Sequence, residues 1–154
     1  MIVVSDTTAL TTLLKAGLES ILPRLFGEVL IPDEVARELL RFHATLPDWC
    51  RVEAAREGCL LDALRLAIDA GEAEAIALAH DRKADVILLD DKKGRRQAEA
   101  LGLSCLALPA IVVAAKRNGL IPSAADAFKA MATQVRYRVA DGVALVLLRS
   151  VGEA

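Results

Sequence analysis

Two short apolar runs that end abruptly in acid constrain this chain more than any other feature. Ile2-Val-Val-Ser5 runs straight into Asp6, and Val86-Ile-Leu-Leu89 runs straight into Asp90-Asp91. Runs this short, apolar at successive positions, are typical of strands covered on both faces. Helical spacing fills the segments between and after them, so strands alternate with helices along the chain. That order predicts an α/β protein, a three-layer α/β/α sandwich with a central, mostly parallel sheet. The 154 residues contain no repeat, low-complexity stretch or linker, which predicts a single domain over 1–154.

The first helix is read as capped by Thr7 or Thr8, with Ala9, Leu10, Leu13 and Leu14 on its apolar face and its end near Gly17. A short helix over about 18–26 ends at Gly27 and precedes a second strand, Val29-Leu-Ile31. Pro32 and Asp33 then open a helix whose buried stripe is Val35, Ala36, Leu39 and Leu40. A weak extended segment is expected over 50–54 and a helix over 60–68. Gly71 is read as punctuation before a run of strong helix formers, 72–79. After the strand at 86–89 come a polar helix over 92–101, a strand over 104–106 and a helix over 109–117. Ser123 caps a helix running to about 132, and 141–150 is read as helical.

Composition excludes several classes. The chain is 55% hydrophobic but only 3% aromatic, so its core is built from Leu, Ile, Val and Ala, and it is too apolar for a disordered chain. The longest charge-free stretch, Ala100 to Ala115, is shorter than a membrane span and contains Pro109. The N-terminal run has no basic flank and meets Asp6 at once, unlike a signal peptide. Cys50, Cys59 and Cys105 are odd in number and form no CxxC, which predicts three reduced, mostly buried thiols and a cytoplasmic location. The net charge of -2 is low for a protein that coats DNA, yet an acidic active site lowers the total while doing nucleic-acid chemistry.

The acids fall where a site is expected. Ligands of open α/β sheets bind outside the carboxyl ends of the strands, and two separate strands deliver Asp6 and Asp90-Asp91 to that rim. Asp6 alone reads equally as a helix cap. Asp90 and Asp91 together repel unless a cation or basic partner offsets them. Glu38 borders the buried face of its helix, with solvation beside Arg37 or Arg41 as the competing reading. Glu72 and Glu74 open their helix, where negative charge is favoured in any case. Two positions apart, they point in different directions, so only one belongs to a site: Glu72 is the better placed and Glu74 the alternative.

Hard oxygen donors of this kind suit Mg²⁺ or Mn²⁺ rather than zinc. Such ions polarise a phosphate and activate water, so no covalent nucleophile is required, and the sequence offers none. His43 reads as a surface residue and His80 as a helix-end residue. Lys92-Lys-Gly-Arg-Arg96 sets Lys92, Lys93, Arg95 and Arg96 beside the acid pair as phosphate-seeking groups for RNA. Lys116-Arg117, Arg136 and Arg138 read as solvated faces. No P-loop or GxGxxG turn is present.

These residues carry a resemblance. Ser5-Asp-Thr-Thr8, Ile31-Pro-Asp-Glu-Val-Ala-Arg-Glu-Leu39, Gly71-Glu-Ala-Glu-Ala-Ile-Ala-Leu-Ala79 and Val86-Ile-Leu-Leu-Asp-Asp91 resemble the successive motifs of PIN domains. The likeness extends through Gly94-Arg-Arg and Gly102-Leu to Ala115-Lys-Arg-Asn-Gly-Leu-Ile-Pro122, a pattern similar to a prokaryotic branch related to VapC-type toxins. It implies a PIN-like fold, an acidic pocket for Mg²⁺ or Mn²⁺ and phosphodiester hydrolysis. Carried over, the family acids fall on Asp6, Glu38, Glu72 and Asp91, with Asp90 beside the last, and Thr7 or Thr8 orients a ligand or water. Glu72 departs from the usual Asp, which leaves Glu74 open as its alternative. The resemblance also implies a homodimer and a small antitoxin partner, and no membrane. The resulting expectation is a metal-dependent endoribonuclease of toxin type. Its rival is an inactive RNA-binding module of the same fold. A phosphoryl-transfer receiver domain is disfavoured, because its acid pair would follow the first strand rather than come late.

Overall fold

A computed structural model describes residues 1–154. Five strands form one parallel sheet: β1 (Val3–Ser5), β2 (Val29–Ile31), β3 (Cys50–Val52), β4 (Val86–Leu88) and β5 (Cys105–Leu106). Their order is β3-β2-β1-β4-β5. The chain therefore builds outward from β1 to one edge, then crosses back to place β4 against the other side of β1. This reversal opens a crevice beyond the carboxyl ends of β1 and β4, the switch point at which doubly wound sheets bind ligands.

Successive strand residues face opposite layers, as the pleat requires. Val3, Val29, Ile31 and Leu88 point to one face, under α1 (Thr7–Lys15), α2 (Ile21–Phe26), α3 (Asp33–Leu40) and α7 (Leu108–Arg117). Val4, Leu30, Ile87 and Leu89 point to the other, under α4 (Cys59–Ala67), α5 (Ala70–Asp81) and α6 (Lys92–Ala100). The result is the three-layer α/β/α sandwich with a central parallel sheet. A third, smaller core joins α7 to α8 (Ala124–Val135) and α9 (Asp141–Ser150) through Val112, Phe128 and Met131. No helix is long and apolar enough to cross a membrane.

Four local expectations change, the first being that Leu40 is exposed and the buried stripe of α3 is Val35, Ala36 and Leu39 alone. Neither Thr7 nor Thr8 caps α1: Asp6 is the single residue between β1 and the helix, and its side chain does the capping. Gly71 does not precede α5 but lies inside its first turn, because the helix starts at Ala70 with Asp69 at the cap position. The thiols are less buried than expected, Cys59 being exposed and Cys50 and Cys105 only half-buried, because they fall at a helix start and on the two edge strands.

Candidate active site

The register of β1 against β4 decides where the acids emerge. Ser5 pairs with Leu88, and the Asp6 N–H donates to the Leu88 carbonyl at 3.1 Å. Asp6 is thus held next to the point where the chain leaves β4 for Asp90 and Asp91. The Asp6 side chain accepts the Ala9 N–H at 3.0 Å through Oδ1, which caps α1 at only 1% exposure. Asp91 repeats the device one strand over, accepting the Gly94 N–H at 3.1 Å as the cap of α6. Both acids are helix caps, and both also line the crevice. Asp90 is fixed from two directions, by the Leu108 N–H at 3.2 Å and the Tyr137 hydroxyl at 2.7 Å.

Glu38 and Glu72 come from α3 and α5, and two glycines make room for them. A Cβ on Gly71 would lie 3.1 and 3.3 Å from the two carboxylate oxygens of Glu38 and 3.4 Å from Thr7 Oγ1. A Cβ on Gly94 would lie 2.9 Å from Glu72 Oε2. Glycine costs a helix interior about 1 kcal/mol relative to alanine. Here it leaves the space that these carboxylates occupy. The Thr7 hydroxyl donates to Glu38 Oε2 and fixes its orientation. Arg37 is paired with Glu34, so it does not neutralise Glu38.

Glu74 does not share the crevice, which corrects its standing as an alternative to Glu72. It accepts the Glu34 N–H at 3.1 Å and lies 3.7 Å from Arg65, tying α5 to α3 and α4. The physical reason is helical phase: two residues take a side chain roughly 200° around the axis. Glu72 lines the crevice together with Asp6, Thr7, Glu38 and Asp69. The innermost recess is small, about 40 Å³, and opens into a wider mouth bordered by Asp90, Asp91, Lys92 and Tyr137.

What sets the crevice apart is the number of unpaired carboxylates gathered in one place. Glu34, Glu53, Glu57 and Glu74 each pair with an arginine. None of Asp6, Glu38, Asp69, Glu72, Asp90 and Asp91 lies within 4.0 Å of a lysine or arginine nitrogen. Burial pushes the Asp6 carboxyl up to about 7; the Ala9 N–H opposes the rise, and Asp90, Asp69 and Glu38 add to it. Glu72 is likewise pushed up to about 7, by burial first and then by Asp69, Asp91, Asp6 and Glu38. Burial and the bond to Asp90 also raise the Tyr137 hydroxyl, which keeps it a proton donor.

No three of these carboxylates come close enough together to make a ready-formed metal cage. The donor set nevertheless suits a hard cation. It consists of oxygens alone, it is short of positive charge, and Mg²⁺ is commonly held by one or two carboxylates while keeping several of its waters.

Two residues at the crevice escaped the sequence reading. Asp69 lines it from the cap position of α5. The signal was an Asp immediately before a helix start, and placing that start at Glu72 concealed it. Tyr137 arrives from the segment between α8 and α9 and carries no local motif. The basic run divides: Lys92 and Lys93 border the acids, whereas Arg95 and Arg96 line a separate depression along α6 beside Glu99. Thr8 is exposed at the mouth of the crevice.

Comparison with known families gives a match to the PIN domain over residues 2–153. No match is found among curated proteins or among solved structures. Because the family match spans all five strands and every acid of the crevice, the chain belongs to the PIN-domain family.

Proposed function

We propose that this protein is a Mg²⁺- or Mn²⁺-dependent endoribonuclease, hydrolysing RNA phosphodiester bonds at the crevice between β1 and β4. The observation that carries the reading is the ring of carboxylates without a cationic partner at the switch point. Of Asp6, Glu38, Glu72 and Asp91, with Asp90 alongside, one or two would ligate the divalent ion directly and the others would meet it through its waters; the ion would supply phosphate polarisation and an acidified water. Burial raises the pKa of Asp6 and Glu72 to about 7, so these two carboxyls would release protons in taking up a cation. Thr7 keeps Glu38 turned toward the crevice, and Tyr137 holds Asp90. Lys92 and Lys93 sit at its edge, where phosphates approach.

The finer reading is that of a toxin in the manner of VapC-type relatives, acting as a homodimer and restrained by a small antitoxin. It rests on the sequence resemblance, together with exposed Val143, Leu145 and Val146 on α9 as apolar surface for a protein partner. The test is incubation with a mixed RNA pool, with and without Mn²⁺, followed by sequencing of the cut ends. Metal-dependent cuts that disappear in Asp6→Asn and Asp91→Asn, with both variants folded, are expected; cuts that survive both substitutions refute the proposal. A second reading, an RNA-binding module without turnover, is favoured by the absence of three carboxylates at metal-holding distance. It predicts RNA binding that is indifferent to metal and no product with either ion.

A further inference from the structure

A second groove, of about 370 Å³, adjoins the acidic crevice, and Thr8 and Tyr137 line both. Its floor is one face of α1, where Thr8, Thr11 and Thr12 fall at neighbouring helical positions. Of the four threonines at this edge only Thr7 is committed within the protein, through its bond to Glu38. Thr8, exposed, and Thr11, partly exposed, thus present hydroxyls with no protein acceptor, while Thr12 is buried beneath them.

The groove walls are aromatic and basic. Phe42 is 70% exposed, and the Lys15 ammonium sits 5.2 Å from its ring centroid. Across the groove, Arg136 ends α8 in the left-handed conformation at φ 59°, and the N–H groups of Arg136 and Tyr137 both return to the Met131 carbonyl. A left-handed non-glycine residue costs about 1 kcal/mol or more. That turn sets both Arg136 and Tyr137 on the groove wall. No acid lines this groove, in contrast to the crevice beside it.

Hydroxyls suit phosphate oxygens and ribose hydroxyls, cations suit phosphates, and an exposed ring suits the face of a base. A duplex hides its base faces, so an exposed ring beside hydroxyls and cations selects an unpaired strand. An apolar peptide would leave the two accessible hydroxyls unsatisfied. The geometry points to a subsite for single-stranded RNA along α1, in which a nucleotide next to the scissile position stacks on Phe42 while Arg136 and the Thr8 and Thr11 hydroxyls hold the adjoining backbone. This rests on the nuclease reading of the crevice and adds a direction to it: the strand leaves the acids past Tyr137, on the side away from α6.

The test separates binding from cleavage. Anisotropy of a labelled short oligouridylate is measured in EDTA, alongside an RNA hairpin, for the wild type, Phe42→Ala, Arg136→Ala, Thr11→Val and, as a remote exposed control, Val52→Ala. Phe42→Ala is expected to weaken single-strand affinity roughly five- to a hundredfold, the range of one lost stacking contact. Arg136→Ala should lower the salt slope by about 0.7, one phosphate contact on a single strand. Hairpin binding and the Val52 control should not change.

Unchanged single-strand binding in both Phe42→Ala and Arg136→Ala overturns the subsite. So does a Phe42→Ala variant that changes self-association by sedimentation while its RNA affinity holds, which would make the groove a protein contact. Cleavage is assayed separately with Mn²⁺. Groove-dependent binding without any cleavage by the wild type refutes the nuclease reading alone; cleavage with groove-independent binding refutes the subsite alone.

Discussion

Asp6→Asn keeps the size of the side chain and the acceptor oxygen that caps α1, and it removes one buried charge. Asn caps helices about as well as Asp, so the bond from the Ala9 N–H survives. What changes is the response to pH. In the folded protein the Asp6 carboxyl is raised from an ordinary 3.8 to about 7. Between those values the native state holds a proton that the unfolded chain has released, so stability falls as pH rises through this window and levels off above about 7. At roughly 1.4 kcal/mol per pH unit, keeping Asp6 ionised costs the metal-free fold on the order of 4 kcal/mol at pH 8. Glu72, half-buried and raised in the same direction, adds to the slope.

Urea unfolding in EDTA should therefore find Asp6→Asn more stable than the wild type by up to about 4 kcal/mol at pH 8, with the two curves converging near pH 4. Mn²⁺ should reverse the order, because the wild type gains binding free energy that the variant forfeits. An Asp6→Asn protein less stable than the wild type at pH 8 without metal would refute the reasoning. It would mean that the charge is already compensated by the fold.

Three further substitutions test the part played by Glu72. Gly94→Ala gains about 1 kcal/mol of helix propensity, yet its Cβ would stand 2.9 Å from Glu72 Oε2 and 3.3 Å from Leu89. We expect thermal stability within a few degrees of wild type and Mn²⁺-dependent cleavage reduced at least about tenfold, the rate equivalent of 1.36 kcal/mol; full activity in a folded Gly94→Ala protein would dismiss this close approach as unimportant. Glu72→Gln should abolish cleavage. Glu74→Ala should leave it intact and cost about 1 kcal/mol by freeing the Glu34 N–H, as read by chemical denaturation.

What the sequence disclosed follows from how far each feature depends on its neighbours. The strands at Val3–Ser5, Val29–Ile31 and Val86–Leu88 are legible because a strand apolar on both faces leaves a continuous run. Asp6, Asp90 and Asp91 were legible as rim residues because they directly follow such runs. Their double duty is less visible: Asp6 reads as a cap or as a site residue rather than both, and Thr7 or Thr8 competes for the cap, since the sequence does not show that a single residue joins strand and helix. Gly71 reads as a breaker, and Gly94 as an ordinary helix position, because the carboxylates that fill their missing side-chain space belong to other segments. Asp69 was hidden by an error of two residues in a helix start. The Tyr137 bond to Asp90 spans 47 positions and has no local trace. Arg136 reads as a solvated residue, because its left-handed turn is set by the end of α8 and not by any nearby glycine.

The central position of β1 also has a consequence for the order in which the molecule can assemble. Its partner β2 is made soon after it, but β4, on its other side, lies more than eighty residues downstream. Until residues 86–91 have left the ribosome, one edge of β1 has no strand to pair with and Asp6 has no Asp90 or Asp91 beside it. A nascent chain therefore carries a sticky apolar edge that long-range pairing must close, which is a slow step and the one most open to misassociation. The same step brings the acids together, so closure of the sheet and assembly of the crevice are a single event in the life of the chain.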